Sequence, residues 1–497
     1  MDHNHRRHQD SVDESGRRGR STIREHSALS LTCLVAILLL TGCQTASRYE
    51  RPEVELPDAW HASDQMEHDK LAANALRDWW QQFDDPELTA LIDRALADSL
   101  TLQTAALRIE EAMALRGVAT GERWPSATGS GAVQSAHSSD AEGGAMRDSR
   151  SAEIYRVGLD ASWELDLWGR IRQSVRAADA ALGVAVEDYH DALVILVGEV
   201  ARQYFVVREL HQRINFLAQN IEAQSSTLRM TQGRYENGLA PLLDVHQAEV
   251  NLNNSMASMA PLRSQLTLAL NRLAVLTGQL PGAVELAILE EWDDAIPDFG
   301  LSRGVPADIL HARPDVRRAE QQLMAQTARL GVARTDLLPR ISLSGTFALQ
   351  AEEIGDLGST GSLSYRLGPT FVWPLFQGGR IRSNIDAVES RVEQAILQYR
   401  QTVLTALEDV EGAWVSYQME RDRYELLLRS VAAAERSVDQ VQNLYENGLV
   451  PFLNVLDAER ILVAQHDQLA QSRGQIYRGI VQVHRALGRG WPQEEAE

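Results

Sequence analysis

Lysine is all but missing from this chain. Lys70 is the single lysine among 48 basic residues, so arginine supplies nearly all of the positive charge. That scarcity excludes a phosphate-binding loop ending in Gly-Lys-Ser/Thr and confines any Schiff-base chemistry to one position. Cysteine is almost as rare: Cys33 and Cys43 are the only two, both near the start, so no disulfide framework spans the rest. A basic excess is also lacking, because 69 acidic residues bring the formal charge to -21, which argues against nucleic acid as a partner. Proline is absent between Pro125 and Pro241 and again between Pro374 and Pro451, leaving room for two very long helices. No His-Glu-x-x-His occurs, and the later histidines show no ligand spacing.

What the chain does have begins with an address. Arg17, Arg18, Arg20 and Arg24 precede an apolar run from Leu29 to Leu40, about half of what a membrane span requires, and Leu-Thr-Gly-Cys follows. This pattern is a secretory signal covering residues 1–42. Its end resembles a lipobox, in which the cysteine is acylated and becomes the mature N-terminus. The resemblance implies a covalent lipid of the palmitate type on Cys43 and no other cofactor. Gln44 stands where lipoproteins retained at the inner membrane carry aspartate, which implies sorting to the outer membrane. Cys33 and the metal-like stretch HNHRRH are expected to leave with the signal, so neither a disulfide nor a metal is expected.

The rest of the chain repeats itself. RYENGLAPLLDV at 234–245 and LYENGLVPFLNV at 444–455 stand 210 positions apart, as do WELDLWGRIR at 163–172 and WPLFQGGRIR at 373–382. GVATGERWPSATGSG (117–131) faces GVARTDLLPRISLSG (331–345) at a shift of 214, and LAVLTG ending at Gly278 faces VHRALG ending at Gly488. Self-similarity of this extent is a tandem duplication. The chain divides into a lipidated N-terminal segment (43–85), a first repeat (86–278), a linker (279–305), a second repeat (306–488) and a tail (489–497). Each repeat reads as helix, strand, loop, strand, very long helix, turn, helix.

Within each repeat the hydrophobic period changes. Tyr155, Val157, Leu159, Ala161 and Trp163 alternate with Arg156, Gly158, Asp160, Ser162 and Glu164; Ile341, Leu343, Gly345, Phe347 and Leu349 do the same. Period two marks strands. Weaker strands are expected at 126–135 and 365–375, the latter interrupted by Pro369 and Pro374. Each runs about ten residues, the length a tilted strand needs to cross a bilayer. Asp160, Glu164 and Asp166 fall on the polar face, where they either add negative potential to a lumen or simply face solvent. Trp163, Trp168 and Trp373 suit an aromatic girdle or packing against the adjoining helix.

After Trp168 and after Gly379 the period becomes heptad, through Ile171, Val175, Ala178, Leu182 and Ala185 in one copy and Ile381, Ile385, Val388, Val392 and Ala395 in the other. A sustained stripe of this kind is a coiled-coil seam. A helix over 169–232 would be roughly 95 Å long. Its other faces are too charged for lipid. Gly238 and Gly448 follow the last helical Asn, where a left-handed cap is expected, and Pro241 and Pro451 can open the next helix of some 35 residues. The duplicated turn is therefore a helical hairpin tip.

Four strands cannot close a barrel, and an open edge in lipid costs several kcal/mol for each unsatisfied backbone group. Association of copies is the remedy, two giving eight strands and three giving twelve. The chain resembles the outer-membrane factors, the TolC-like family, and more closely its NodT-type lipoprotein branch. The resemblance rests on DWWQQFDDPELTALIDRAL (78–96), RPDVRRAEQQL (313–323), LPRISLSG (338–345), WELDLWGRIR and the two YENGL tips. It implies a mainly α fold with a small β part, in which long antiparallel hairpins form an α-helical barrel. Four strands per protomer then join a trimeric twelve-stranded transmembrane barrel. It also implies a homotrimer in outer-membrane lipid with a large periplasmic part, a periplasmic adaptor protein and an inner-membrane resistance-nodulation-division transporter.

Carried over by position, the resemblance places a periplasmic gate at Asp457, with Asn454 at the neighbouring site, and a latch between Asp244 and Tyr445. Gly238 and Leu239, with Gly448 and Leu449, are the implied adaptor contacts. The expected function is a passive duct exporting small molecules. A type I protein-secretion duct and an envelope-tethering coiled-coil lipoprotein are the alternatives. Catalysis is not expected: GLSRG at 300–304 matches Gly-x-Ser-x-Gly but lies between Pro297 and Pro306 in the linker, without a strand before it.

Overall fold

A computed structural model describes residues 49–52, 78–137, 151–284 and 312–491. Cys43, Gln44, the signal segment and the GLSRG stretch lie outside the described residues. In chain order the elements are α1 (Pro86–Asp98), α2 (Leu100–Gly121), β1 (Ser126–His137), β2 (Ser151–Glu164), α3 (Arg170–Glu236), α4 (Leu242–Leu276), α5 (Pro314–Thr335), β3 (Arg340–Ala351), β4 (Leu363–Val372), α6 (Arg380–Glu446) and α7 (Phe452–Ala486). The long helices α3 and α6 have 67 residues each and the returning helices α4 and α7 have 35 each. At 1.5 Å per residue a 67-residue helix is about 100 Å long. No described helix is long and apolar enough to cross a membrane.

The fourth strand differs from expectation, whereas the returning helix of the first copy has the expected length. Strand β4 stops at Val372 rather than reaching 375, because Pro374 lacks a ladder donor and Gly378 and Gly379 take left-handed backbone at φ 57° and 85°. Pro369 is accommodated within β4 because that strand has a neighbour on one side only, β3. Helix α4 runs unbroken through Pro261, whose missing N–H leaves the carbonyl of Ala257 without its helical donor. Its counterpart in the second copy is Gln471.

The chain falls into two compact units. One comprises residues 113–181 and 322–395. It holds an antiparallel sheet in the order β1-β2-β3-β4, so the central ladder, β2 with β3, joins one repeat to the other. Register places Val157 opposite Leu349, Leu159 opposite Phe347 and Trp163 opposite Leu343, and continues Phe347 to Tyr365 and Ile341 to Phe371. All of these side chains share one face. On the other face Asp160 lies opposite both Thr128 and Thr346, and Arg156 opposite Gln350. The apolar face is uncovered, with Leu367 and Phe371 each 74% exposed. Water-soluble sheets do the reverse.

The duplicated tryptophan motif builds the junction between strand and long helix. Asp166 lies beyond the end of β2 and accepts from the backbone N–H groups of Ile171 and Arg172, at 3.0 Å each, which caps α3. Glu164 takes a two-pronged bond from Arg170, at 2.7 and 3.0 Å. These two carboxylates are therefore tied to the start of the long helix. Asp160 instead bonds across the sheet, accepting from Ser130 at 3.1 Å and Thr346 at 2.8 Å. The indoles of Trp163, Trp168 and Trp373 donate to the carbonyls of Arg123, Pro339 and Leu337 at 3.0, 2.7 and 3.1 Å, so half-exposed rings are pinned where helix meets sheet.

The second unit comprises residues 52–112, 182–321 and 396–497. Its core gathers Trp79, Leu88, Ile92, Val200, Tyr204, Phe205, Leu273, Ile476 and Ile480. Asp85 caps α1 through the N–H groups of Glu87 and Leu88 and also accepts from Tyr204 Oη at 2.5 Å and Arg208 at 2.8 Å. Trp79 stacks on His484 at 4.7 Å between ring centres. From the RPDVRRAEQQL motif, buried Arg313 donates to Asp315 and Asp409 and to the carbonyls of Ala406 and Ala486. Gly488 adopts φ 65° directly against it, where a Cβ would come within 2.9 Å of Arg313 Cγ.

Arg313→Leu leaves the carbonyls of Ala406 and Ala486 without this donor while Asp315 and Asp409 remain partly solvated, so it is expected to destabilise the second unit by about 1–3 kcal/mol. A clearly lowered thermal midpoint of the solubilised protein, larger than for an exposed control such as Arg229→Leu, would show it.

Candidate functional site at the hairpin tips

Both tips close in the same way. At the end of α3, Gly238 has φ 67°, its N–H reaches Tyr235 O at 2.9 Å and the Leu239 N–H reaches Arg234 O at 2.8 Å. At the end of α6, Gly448 has φ 71°, with matching bonds to Tyr445 O and Leu444 O at 2.9 Å each. This is the Schellman cap, in which the left-handed residue is glycine for lack of a Cβ penalty. Asn237 and Asn447 each tie the last turn by donating to a carbonyl four residues back, at 2.7 Å in both copies. Pro241 and Pro451 then start α4 and α7 as their N-cap residues. The geometry leaves Leu239 and Leu449 projecting, 68% and 70% exposed.

Polar groups across the copies are not symmetric. Tyr445 of the second copy is buried and donates from its hydroxyl to Asp244 of the first at 3.2 Å. Arg234 places its guanidinium 4.8 Å from the centre of the Tyr445 ring and donates to Glu446 O at 2.7 Å, while Phe452 packs on the ring at 5.2 Å. Burial, and then the Asp244 carboxylate, raise the Tyr445 pKa above that of an ordinary phenol, so the group stays a donor. The equivalent residues Tyr235 and Asn454 are both exposed. The structure thus brings Asp244 and Tyr445 together. Asn454 and Asp457 share one exposed face of α7 without touching that pair.

A second polar cluster lies just behind the tip, and it was not anticipated from the sequence. Glu459, 5% exposed, accepts from Thr227 at 2.7 Å, Asn251 at 3.1 Å and Gln442 at 3.4 Å. One carboxylate therefore joins α3, α4, α6 and α7. Burial raises its pKa despite those three donors, and none of them is a cation. The available signal was its place on the apolar stripe of α7, three and four residues after Leu456 and Val455.

The chain as a whole matches known proteins. The outer membrane efflux protein family model fits residues 91–279 and 305–489. Outer membrane protein OprJ of Pseudomonas aeruginosa is 30% identical over 473 residues, 94% of this chain and 97% of that protein. The cation efflux system protein CusC of Escherichia coli K12 is 27% identical over 458 residues, covering 91% and 97%. Among solved structures, the outer-membrane channel OprN superposes with a TM-score of 0.79 at 32% identity, covering 89% of this chain and 99% of the other. The chain belongs to the outer membrane efflux protein family. It is an efflux channel of the outer membrane, mostly helical with a small antiparallel sheet.

Loss of one donor to Glu459 has a signed pH dependence. A carboxyl whose pKa is raised by folding contributes its stability at low pH and loses it as pH rises through the folded pKa. Thr227→Val removes a donor that favours the charged form and raises that pKa further. The variant is expected to cost about 1–3 kcal/mol at pH 7.5, with the difference from wild type narrowing toward pH 4.5. Thermal unfolding at the two pH values checks both the sign and the size.

Proposed function

We propose that three copies form a passive export duct, in which the four-stranded sheets join edge to edge as a twelve-stranded transmembrane barrel. The observation that carries this reading is the sheet itself: its apolar face is uncovered, and β1 and β4 each have one hydrogen-bonded neighbour in the chain. In hydrocarbon an edge strand must be paired, and a sister subunit supplies the missing strand. Cleavage after residue 42 and acylation of Cys43 would add a lipid anchor beside the barrel. The long helices continue as a water-filled wall in the periplasm. Energy comes from an inner-membrane transporter of the resistance-nodulation-division type, coupled through a periplasmic adaptor that seats on Gly238, Leu239, Gly448 and Leu449.

The cargo is small molecules. Relatives bear the names of solvent, toluene, cation and pyoverdine export proteins. In the resting duct the second-repeat hairpins are drawn inward, with Asp457 and Asn454 of each copy narrowing the passage and the Tyr445–Asp244 bond holding α6 and α7 to α4. A ring of aspartates favours cations on electrostatic grounds.

The test is planar-bilayer recording of the purified protein. Discrete channel steps are expected, and a Tyr445→Phe, Asp244→Ala variant should raise the open population about tenfold. That is the factor expected when a hydrogen bond of about 1.4 kcal/mol no longer favours the closed form. Absence of any steps would remove the duct, and a variant no more conductive than wild type would remove the latch.

A further inference from the structure

Beside Pro261, between α3, α4 and α7, lies a cavity of about 550 Å³. That size falls within the range of sites that hold drug-sized ligands. The proline gives it a local cause, since its ring crowds the preceding turn and leaves a helical carbonyl unpaired. The duplication offers an internal comparison. Where the first copy lines the cavity with Pro261, Asn220, Gln224 and Asn254, the second copy has Gln471, Ser430, Ala434 and Ala464. The amides of Asn220, Gln224 and Asn254 belong to the first copy alone, so they are not required by the shared scaffold.

The charges on the wall are unequal in their commitments. Arg213 is neutralised by Asp467 through bonds of 2.6 and 3.3 Å. Arg460 has no carboxylate partner among the described residues and reaches only Asn251 Oδ1, at 3.4 Å. Asn251 is held for that role because its amide N–H donates to the buried carboxylate of Glu459 at 3.1 Å. Gln224, only 3% exposed, keeps a carbonyl oxygen with no donor. Phe216, Leu217 and Leu262 supply an apolar side, with the ring of His466 tilted 4.9 Å from Phe216. An exposed guanidinium with no carboxylate partner among the described residues, an unsatisfied amide acceptor and an apolar floor together describe an amphipathic anion carrying a hydroxyl or amide donor.

We propose that this cavity binds a small aromatic or aliphatic monocarboxylate bearing a hydroxyl group. The carboxylate sits on Arg460, the body on Phe216, Leu217 and Leu262, and the hydroxyl bonds to the amide wall. The site is independent of the latch, since neither Tyr445 nor Asp244 contributes to it.

Fluorine NMR of 5-fluorosalicylate with the full-length protein in detergent tests it. Saturable line broadening is expected, with a Kd on the order of 0.1 mM, and the neutral 5-fluorosalicylamide should bind at least about tenfold more weakly. Arg460→Gln should weaken the carboxylate about tenfold or more, the loss expected for a charged hydrogen bond. Ser258→Trp, which fills the cavity, should abolish binding, whereas Gln468→Trp at the matching position of the other copy should leave it unchanged. Circular dichroism and the thermal midpoint establish that each variant is folded. Broadening that does not saturate, that is equal for the amide, or that survives both Arg460→Gln and Ser258→Trp would overturn the proposal.

Discussion

A strand edge carries a row of backbone donors and acceptors, and hydrocarbon offers them nothing. Each group left unpaired there costs several kcal/mol, so a sheet that shows an apolar face to lipid must continue until it meets itself. Here the pairing inside one chain ends at β1 and β4. Much else follows from that. The strands are ten to fourteen residues long, which suits the span of an apolar layer. The tryptophan motif turns the chain sharply from strand to helix, with Asp166 capping α3 and Trp168 tied to Pro339. The ladder between β2 and β3 makes both repeats parts of one sheet.

The repeats share a frame and differ in what is hung on it. The tip glycines, the Asn bonds of the last turn and the helix lengths are the same in both copies. Polar groups diverge: Asp244 against Asn454, Arg234 against Leu444, Pro261 against Gln471. Divergence of this kind makes the contact between the hairpins one-sided, because Tyr445 finds Asp244 whereas the equivalent pair stays exposed. The buried Glu459 couples all four helices behind the tip through neutral donors, an arrangement that loses stability as the carboxyl ionises.

Periodic features were legible in the sequence. Alternation from Tyr155 to Trp163 and the heptads after Ile171 and Ile381 follow from which faces need burial, and Gly238 and Gly448 mark the caps because few other residues tolerate φ near 70°. The Asp244 and Tyr445 contact came from family resemblance, since no pattern links residues 201 positions apart. Strand β4 was misjudged at its end because apolar Trp373, Leu375 and Phe376 continue the composition of a strand where Pro374 and two glycines stop its ladder. Glu459 and Asn251 were missed for a physical reason. A polar residue on an apolar stripe makes sense only once its partners on other helices are known, and those are 17 to 232 positions away.

Closure of the sheet by sister subunits is most directly tested by native mass spectrometry of the full-length protein released from mild detergent. A mass of three chains that persists until the detergent is stripped is the predicted result. A stable monomer, folded and with protected amide hydrogens along β1 and β4, would contradict it, because the edges would then be satisfied without any neighbour.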